Sequence, residues 1–332
     1  MVEHSIMARI AVTDGMAKAA ISVLEKAGHE VVVGHIEKDE LLNGALNEFD
    51  GIIVRSATKL SREVIEASPK LSVIGRAGVG VDNIDLVSAG KAGIMVVNAP
   101  YASTQSVVEL TIGHLLSSVR HIPKSDRGIR EDKWEKKSMK GTELSGKCLG
   151  LIGFGRIAQG VARVAKSLGM EIHTYDPYLP PKVAKAQDAY LHKKVDSLFK
   201  TCTHISIHCN LTEETHHLVN AKRLSMMPGR KSGINCGNHI VNCARGGIID
   251  EDALLAALED GTITSAALDV FEVEPLPEGY KLVKHENFHG TPHIGAATLE
   301  AQHRVGLDIA EAVNFALSGE KPSTIVNSQY LN

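Results

Sequence analysis

The amino-acid sequence predicts an α/β protein made of two βα domains, each with a parallel sheet, and a cleft between them. Three observations lead there. Short β-rich runs alternate with helix-period stretches from end to end. At 332 residues the chain is long for a single hydrophobic core. Asn98-Ala99-Pro100 then punctuates the series and separates a first set of elements from a second.

The first set places strands at Ile10-Ala11-Val12, Val31-Val32-Val33, Ile52-Ile53-Val54, Val73-Ile74 and Met95-Val96-Val97. Residues 16–26 have helical periodicity, and Gly28 suits the helix C-terminus. Thr104 to Arg120 reads as a long helix, followed by a polar, charged stretch over 121–146. The second set places strands at 148–152, 171–175, 204–208, 240–243 and 265–268, with a helix over 252–259 that ends at Gly261. A last helix over 299–317 comes too late to extend that set simply, so it is expected to return to the first domain. The expected division is residues 1–100 plus 298–332 as a discontinuous outer, substrate-binding domain, and 101–297 as a central cofactor domain.

Composition narrows the function. Apolar residues make up 43% and charged residues 23%, which is ordinary for a globular protein. A net charge of −3 gives no basic field to draw nucleic acid or membrane. No apolar run reaches the length of a bilayer span, and Met1 to Arg9 lacks the apolar core of a signal peptide. The five cysteines are an odd number and fit reduced thiols, so a cytoplasmic location is expected. The 16 histidines include His204 and His208, four apart in one strand-like run, and the adjacent His216 and His217. None shows zinc-ligand spacing with a matching second pair, so no metal is expected.

The most specific motif is Leu149-Gly150-Leu151-Ile152-Gly153-Phe154-Gly155-Arg156-Ile157-Ala158: a buried strand, a glycine turn and a helix start. Gly153 permits the turn, and Gly155 lets a pyrophosphate approach the backbone. The helix from Arg156 offers N–H groups and the positive end of its dipole. Ala158 is small enough for helix–strand packing. Asp176 ends the next strand, where an acid accepts hydrogen bonds from an adenosine ribose and repels a 2′-phosphate. These residues predict a Rossmann-like unit that binds NAD in preference to NADP.

Three later segments carry chemistry. Arg245 lies directly past a strand in Asn242-Cys243-Ala244-Arg245-Gly246-Gly247, and only a guanidinium gives a planar two-pronged donor for a carboxylate. Asp269 ends another strand and Glu274 follows in its loop. His293 sits in Thr291-Pro292-His293-Ile294-Gly295, just before the last helix. Each alone is unremarkable. Beside an NAD fold they suggest hydride transfer, because the resulting alkoxide needs a proton that a histidine can supply or take near neutral pH.

The chain resembles the D-2-hydroxyacid dehydrogenase family over nearly its whole length. The resemblance rests on Val54-Arg55-Ser56-Ala57-Thr58-Lys59, Gly75-Arg76-Ala77-Gly78-Val79-Gly80-Val81-Asp82-Asn83-Ile84-Asp85, Lys133-Trp134-Glu135, Gly141-Thr142-Glu143-Leu144, Asn242 to Asp250, Leu268-Asp269-Val270-Phe271 and Pro292-His293-Ile294-Gly295-Ala296. It implies that Arg245 binds the substrate carboxylate and keto oxygen, that His293 is the general acid/base and that Glu274 is its partner. Asp269 would hold the nicotinamide carboxamide, while Arg156, Ile157 and Asp176 would meet the pyrophosphate and ribose. His208, Thr215, Cys243, Ala244 and Gly295 would complete the cofactor contacts. Gly78, Val79 and Gly80 would form a backbone cradle for the carboxylate, with Arg55 and Ser56 at the distal phosphate.

The branch most resembled oxidises 3-phospho-D-glycerate to 3-phosphohydroxypyruvate with NAD. Another small anionic 2-hydroxy acid (glycerate, lactate or sulfolactate) is the alternative, and an NAD(H)-sensing scaffold of corepressor type is a second. Turnover on a panel of hydroxy acids separates the three. The helix from Thr104 and the arm around Trp134 resemble a family dimer contact, so a homodimer or higher homo-oligomer is expected. The chain departs from the branch at Ser103, where relatives carry Asn, at Asn210, where they carry Pro, and in an insertion over 229–239. It also ends at Asn332 without the branch's regulatory extension, so feedback through such an extension is not expected.

Overall fold

The computed structural model describes residues 7–331, so most of the N-terminal segment read for a leader lies outside the described residues. The chain forms two compact units, one running to Ser103 and resuming at Ala296, the other spanning Thr104–Gly295.

The first unit is built on β1 (Arg9–Val12), β2 (Glu30–Val33), β3 (Gly51–Val54), β4 (Val73–Arg76) and β5 (Met95–Asn98). All pair in parallel in the order β2-β1-β3-β4-β5. Central strands are buried on both faces, which is why β3 reads as a continuous apolar run and not as an alternation. β2 lies at the edge and leaves Glu30, Val32 and Val33 exposed. The helix Leu299–Leu317 packs on the helix Lys18–Lys26 and on β4, burying Ile309, Ala310 and Val313 in this unit's core. Its first turn is capped by Thr298, whose hydroxyl accepts from Ala301 N at 3.1 Å.

The second unit is built on β6 (Cys148–Ile152), β7 (Glu171–Tyr175), β8 (Tyr190–Leu191), β9 (His204–Ile207), β10 (Arg230–Lys231), β11 (Ile234–Asn235), β12 (His239–Asn242), β13 (Ser265–Leu268) and β14 (Phe288–Gly290). Seven of them form one parallel sheet in the order β14-β13-β12-β9-β6-β7-β8. The chain leaves β6 toward β7 and β8 on one side, then returns to build the other side from β9. The strand order therefore reverses at β6, and in such sheets ligands bind past the carboxyl ends of the strands at that point.

Several elements were not legible in the sequence. β8 and β14 span two and three residues, too short for any periodicity to register. The stretch expected to be merely polar contains the helix Ile122–Arg130, whose only large apolar residues, Ile122 and Ile129, are exposed. The insertion folds as an antiparallel hairpin of β10 and β11, turned by Ser232 and Gly233 at φ 51° and 81°. His204 and His208 do not share a strand. β9 ends at Ile207, His204 is fully buried and stacked on His239 at 4.7 Å, and His208 lies beyond, within 2.9 Å of Ser206 Oγ.

Candidate active site

The glycine turn leaves β6 at the switch point. Gly153 has φ 83°, and a β-carbon there would lie 2.7 Å from the carbonyl oxygen of His208, so both conformation and space demand glycine. Phe154 plugs the core beneath, fully buried. Gly155 stands at the N-cap of the helix Arg156–Ser167, and no side chain caps that helix. Its leading N–H groups have no intrahelical acceptor. A β-carbon on Gly155 would meet nothing within 4 Å, so the space before the helix is open. An uncapped helix N-terminus facing open space at a switch point fits a pyrophosphate.

Asp176 closes the same site. Its Oδ2 accepts from Phe154 N at 3.0 Å and its Oδ1 from Tyr178 N at 3.0 Å. The carboxylate is thus locked beside the glycine turn. His208 follows β9, and desolvation lowers its pKa to about 3, so its ring is neutral. Thr215 spends its hydroxyl closing the loop, donating to Asn210 O at 2.7 Å and accepting from Thr212 N at 2.7 Å. The buried Cys243 thiol is pushed up to about 12 by desolvation, so it stays protonated.

Arg245, Glu274 and His293 arise from the carboxyl ends of three adjacent strands, for Asn242 pairs with Leu268 and Leu268 with Gly290. The Asn242 side chain organises the first loop, donating to Arg245 O at 2.9 Å and accepting from Ala244 N at 2.9 Å. Gly246 packs so closely on the second loop that a β-carbon would fall 1.8 Å from Phe271 O. Phe271 N in turn donates to Glu274 Oε1 at 2.9 Å, while Glu272 N donates to the buried Glu251 at 2.8 Å. Backbone packing therefore couples the arginine loop to the glutamate loop.

His293 Nδ1 lies 2.7 Å from Glu274 Oε2, with both side chains partly exposed. Because the carboxylate only accepts, Nδ1 donates in that bond and Nε2 is the ring's other nitrogen. His293 has φ 54°, a conformation sustained by its N–H donating to Asp269 O at 2.8 Å. The buried Asp269 carboxylate accepts from Thr291 Oγ1 at 2.6 Å, Ile294 N at 2.8 Å and Gly295 N at 2.8 Å. Asp269 is the clamp of the histidine loop. Thr291 and Asn242, both at strand ends, were not assigned roles from the sequence; a small polar residue leaving a buried strand was the available signal.

In the first unit, the loop after β4 holds its carbonyls inward. Gly78 O accepts from Ala99 N at 2.9 Å and Val79 O from Asn98 Nδ2 at 2.7 Å. Among the described residues, no acceptor is found for the N–H groups of Val79 and Gly80, so they are available to an anion. The Arg76 guanidinium folds onto the same loop, donating from Nη1 to Ala77 O at 3.2 Å, a second cation the sequence reading did not assign. Arg55 is fixed through its backbone: its N–H donates to Asp14 Oδ2 at 2.7 Å and its carbonyl accepts from Asn83 Nδ2 at 2.7 Å. Among the described residues its guanidinium makes no ion pair. Ser56 next to it is exposed, and Ser103 is buried.

Residues 112–295 match the family model described as "D-isomer specific 2-hydroxyacid dehydrogenase, NAD binding domain". The chain is 46% identical over 321 residues to a D-3-phosphoglycerate dehydrogenase of Methanocaldococcus jannaschii, covering 97% of this chain and 60% of that protein. It thus spans well under two thirds of that relative's length. It is 45% identical over 308 residues to a hydroxypyruvate reductase of Thermotoga maritima, covering 92% of this chain and 97% of that one. A solved glyoxylate reductase from Paecilomyes thermophila superposes with a TM-score of 0.85 at 28% identity, covering 98% and 99% of the two chains. The cofactor of the matched domain is NAD. The chain belongs to the D-isomer specific 2-hydroxyacid dehydrogenases.

Proposed function

We propose that this oxidoreductase oxidises 3-phospho-D-glycerate to 3-phosphohydroxypyruvate, the step that commits a glycolytic acid to serine. The carrying observation is the His293–Glu274 pair at 2.7 Å, set beside the Arg245 loop on adjacent strand ends. Arg245 holds the substrate carboxylate and the reacting oxygen with its two-pronged guanidinium. His293 Nε2 takes the hydroxyl proton as the carbonyl forms and returns one in the reverse direction. Glu274 fixes the ring and compensates the charge that His293 gains. Bound NAD supplies the hydride acceptor. Arg156, Ile157 and Asp176 hold its pyrophosphate and ribose, with His208, Thr215, Cys243, Ala244 and Gly295 along its length. Val79 and Gly80 offer amides to the carboxylate. The Arg55 guanidinium, without an ion pair of its own, takes the distal phosphate, with Ser56 alongside.

A homodimer using the Thr104–Val119 helix and the arm carrying the exposed Trp134 fits this reading, as does a cytoplasmic location. No helix among the described residues is long and apolar enough to cross a membrane. One observation favours a second reading, reduction of hydroxypyruvate: the Thermotoga maritima relative of that name matches over nearly its full length.

The test is steady-state kinetics on phosphohydroxypyruvate, hydroxypyruvate and pyruvate with NADH. A charge-assisted bond is worth about 1.5–3 kcal/mol, so Arg55→Ala should lower kcat/KM for phosphohydroxypyruvate about ten- to a hundredfold. Hydroxypyruvate and pyruvate should change little. Equal losses on all three would shift the assignment to a hydroxy acid without a distal charge.

A further inference from the structure

The hairpin of β10 and β11 has no part in the chemistry above, yet it delivers one side chain to a specific place. Lys231 Nζ lies 2.9 Å from Cys148 Sγ and 2.7 Å from Glu171 Oε2. Cys148 Sγ in turn lies 3.1 Å from the same Glu171 oxygen. The three residues come from β10, from the first residue of β6 and from the first residue of β7, which pair in register. An amine, a thiol and a carboxylate thus form a closed triangle. Cys148 itself is buried, but the Lys231 and Glu171 side chains are 27% and 55% exposed, so solvent reaches the triangle's edge. Cys148, Glu171 and His173 also bring three potential metal-ligand atoms within 4.8 Å of one another. The Lys231 ammonium already stands within 2.9 Å of both sulfur and carboxylate, where it supplies the cation a metal would, which argues for chemistry between Lys231 and Cys148 in place of a metal.

We propose that Cys148 and Lys231 are a covalent cross-linking site, joined through one oxygen atom as Sγ–O–Nζ when the protein meets a peroxide. The separation is too long for a direct S–N bond and suits a single bridging atom. In the first step Glu171, which already accepts from the Cys148 thiol, takes its proton as Sγ attacks one oxygen of hydrogen peroxide, and passes that proton to the departing hydroxide. The O–O bond breaks, the thiol becomes a sulfenic acid and one water leaves. In the second step Glu171 accepts a proton from the Lys231 ammonium, which frees the amine lone pair. That lone pair attacks one oxygen of a second peroxide, the O–O bond breaks to give an N-hydroxylamine and one water, and the hydroxylamine oxygen then displaces the sulfenic hydroxyl from Sγ as a second water. The thiol and amine have together lost four electrons, and two peroxides have gained them. Four electrons from a dithiol reductant reverse the process, restoring thiol and amine and releasing the bridging oxygen as water. The cross-link ties the inserted hairpin to the start of β6, the strand that ends in the cofactor turn.

The test uses the full chain treated with a few equivalents of hydrogen peroxide, then intact mass measurement and tryptic mapping. The expected result is a gain of one oxygen atom and loss of two hydrogens. Trypsin should no longer cut after Lys231, the peptides carrying Cys148 and Lys231 should run as one species, and dithiothreitol should release them. Lys231→Arg keeps the charge on an exposed hairpin but offers no comparable amine nucleophile, so it should give no cross-linked species. The proposal is overturned if Cys148 oxidises while Lys231 stays cleavable. It is equally overturned if Cys148 remains a thiol while Cys209, the one cysteine among the described residues that is only half-buried, reacts, or if Lys231→Arg shows the same mass change.

Discussion

Asp269→Asn isolates the clamp on the histidine loop. The wild-type carboxylate accepts three bonds, two on Oδ1 from Thr291 and Ile294 and one on Oδ2 from Gly295, in a fully buried position. An asparagine is nearly the same shape but has one acceptor atom. Turned to keep Thr291 and Ile294, it points an NH2 at the buried Gly295 N–H, so a donor faces a donor. Losing one hydrogen bond to a charged group and leaving its buried partner unpaired costs about 1.5–3 kcal/mol. The two remaining bonds lose their charge assistance as well, and charge-assisted bonds are roughly twice as strong as neutral ones. A total of about 3 kcal/mol follows. For a unit of this size, 1 kcal/mol moves Tm by about 2–4 °C, so calorimetry without cofactor should show a fall of about 6–12 °C. His293 depends on Asp269 for its own N–H bond, and a displacement of about 1 Å at a reacting group can cost about a hundredfold in rate. Turnover should fall by about that factor. A Tm within about 2 °C of wild type, with weaker NADH binding as the main defect, would refute the clamp and leave Asp269 as a cofactor ligand alone.

Other outcomes follow from single sites. His293→Ala should bind NADH almost normally while turnover drops by about two to four powers of ten, measured by fluorescence titration and steady-state rates; unchanged turnover would remove His293 from the mechanism. Asp176→Ala should weaken NADH and narrow the preference over NADPH, since the carboxylate that holds the glycine turn, and that is proposed to repel a 2′-phosphate, is gone; a wild type that uses NADPH equally well would contradict the proposed role of Asp176. Desolvation holds buried His239 near 4, and His192 and His289 also near 4, below the ordinary histidine value of about 6.5. Each binds a proton more readily when unfolded, so stability is complete above about pH 6.5 and is lost as pH falls toward 4. For His239 alone the loss is about 3 kcal/mol at the acid end, and His239→Asn should flatten that part of the Tm–pH curve; an unchanged slope would contradict the neutral buried ring.

Much of this was written locally. Strands 148–152, 171–175 and 265–268 have the observed bounds: the first and last are buried throughout, and 171–175 alternates buried Ile172 and Thr174 with more exposed neighbours. The Gly153–Ala158 turn was legible because it couples a strand, two glycines and a helix start over ten residues, with Asp176 at the next strand end. The helix Leu299–Leu317 was legible as a helix from its own periodicity.

Tertiary structure decided what depends on partners far apart in sequence. That Asp269 is spent on Thr291, Ile294 and Gly295 depends on β14, a three-residue strand with no local signature, lying beside β13. The contact of Gly246 with Phe271 couples two loops whose residues are 25 apart, and nothing near Gly246 reports it. Lys231 meets Cys148 across 83 positions only because the hairpin folds back on the start of β6. Local propensity fixes which residues form strands, turns and helix starts. Which polar atoms then find one another is set by the order in which strands assemble into the sheet, since parallel neighbours bring together loops that the chain itself keeps apart.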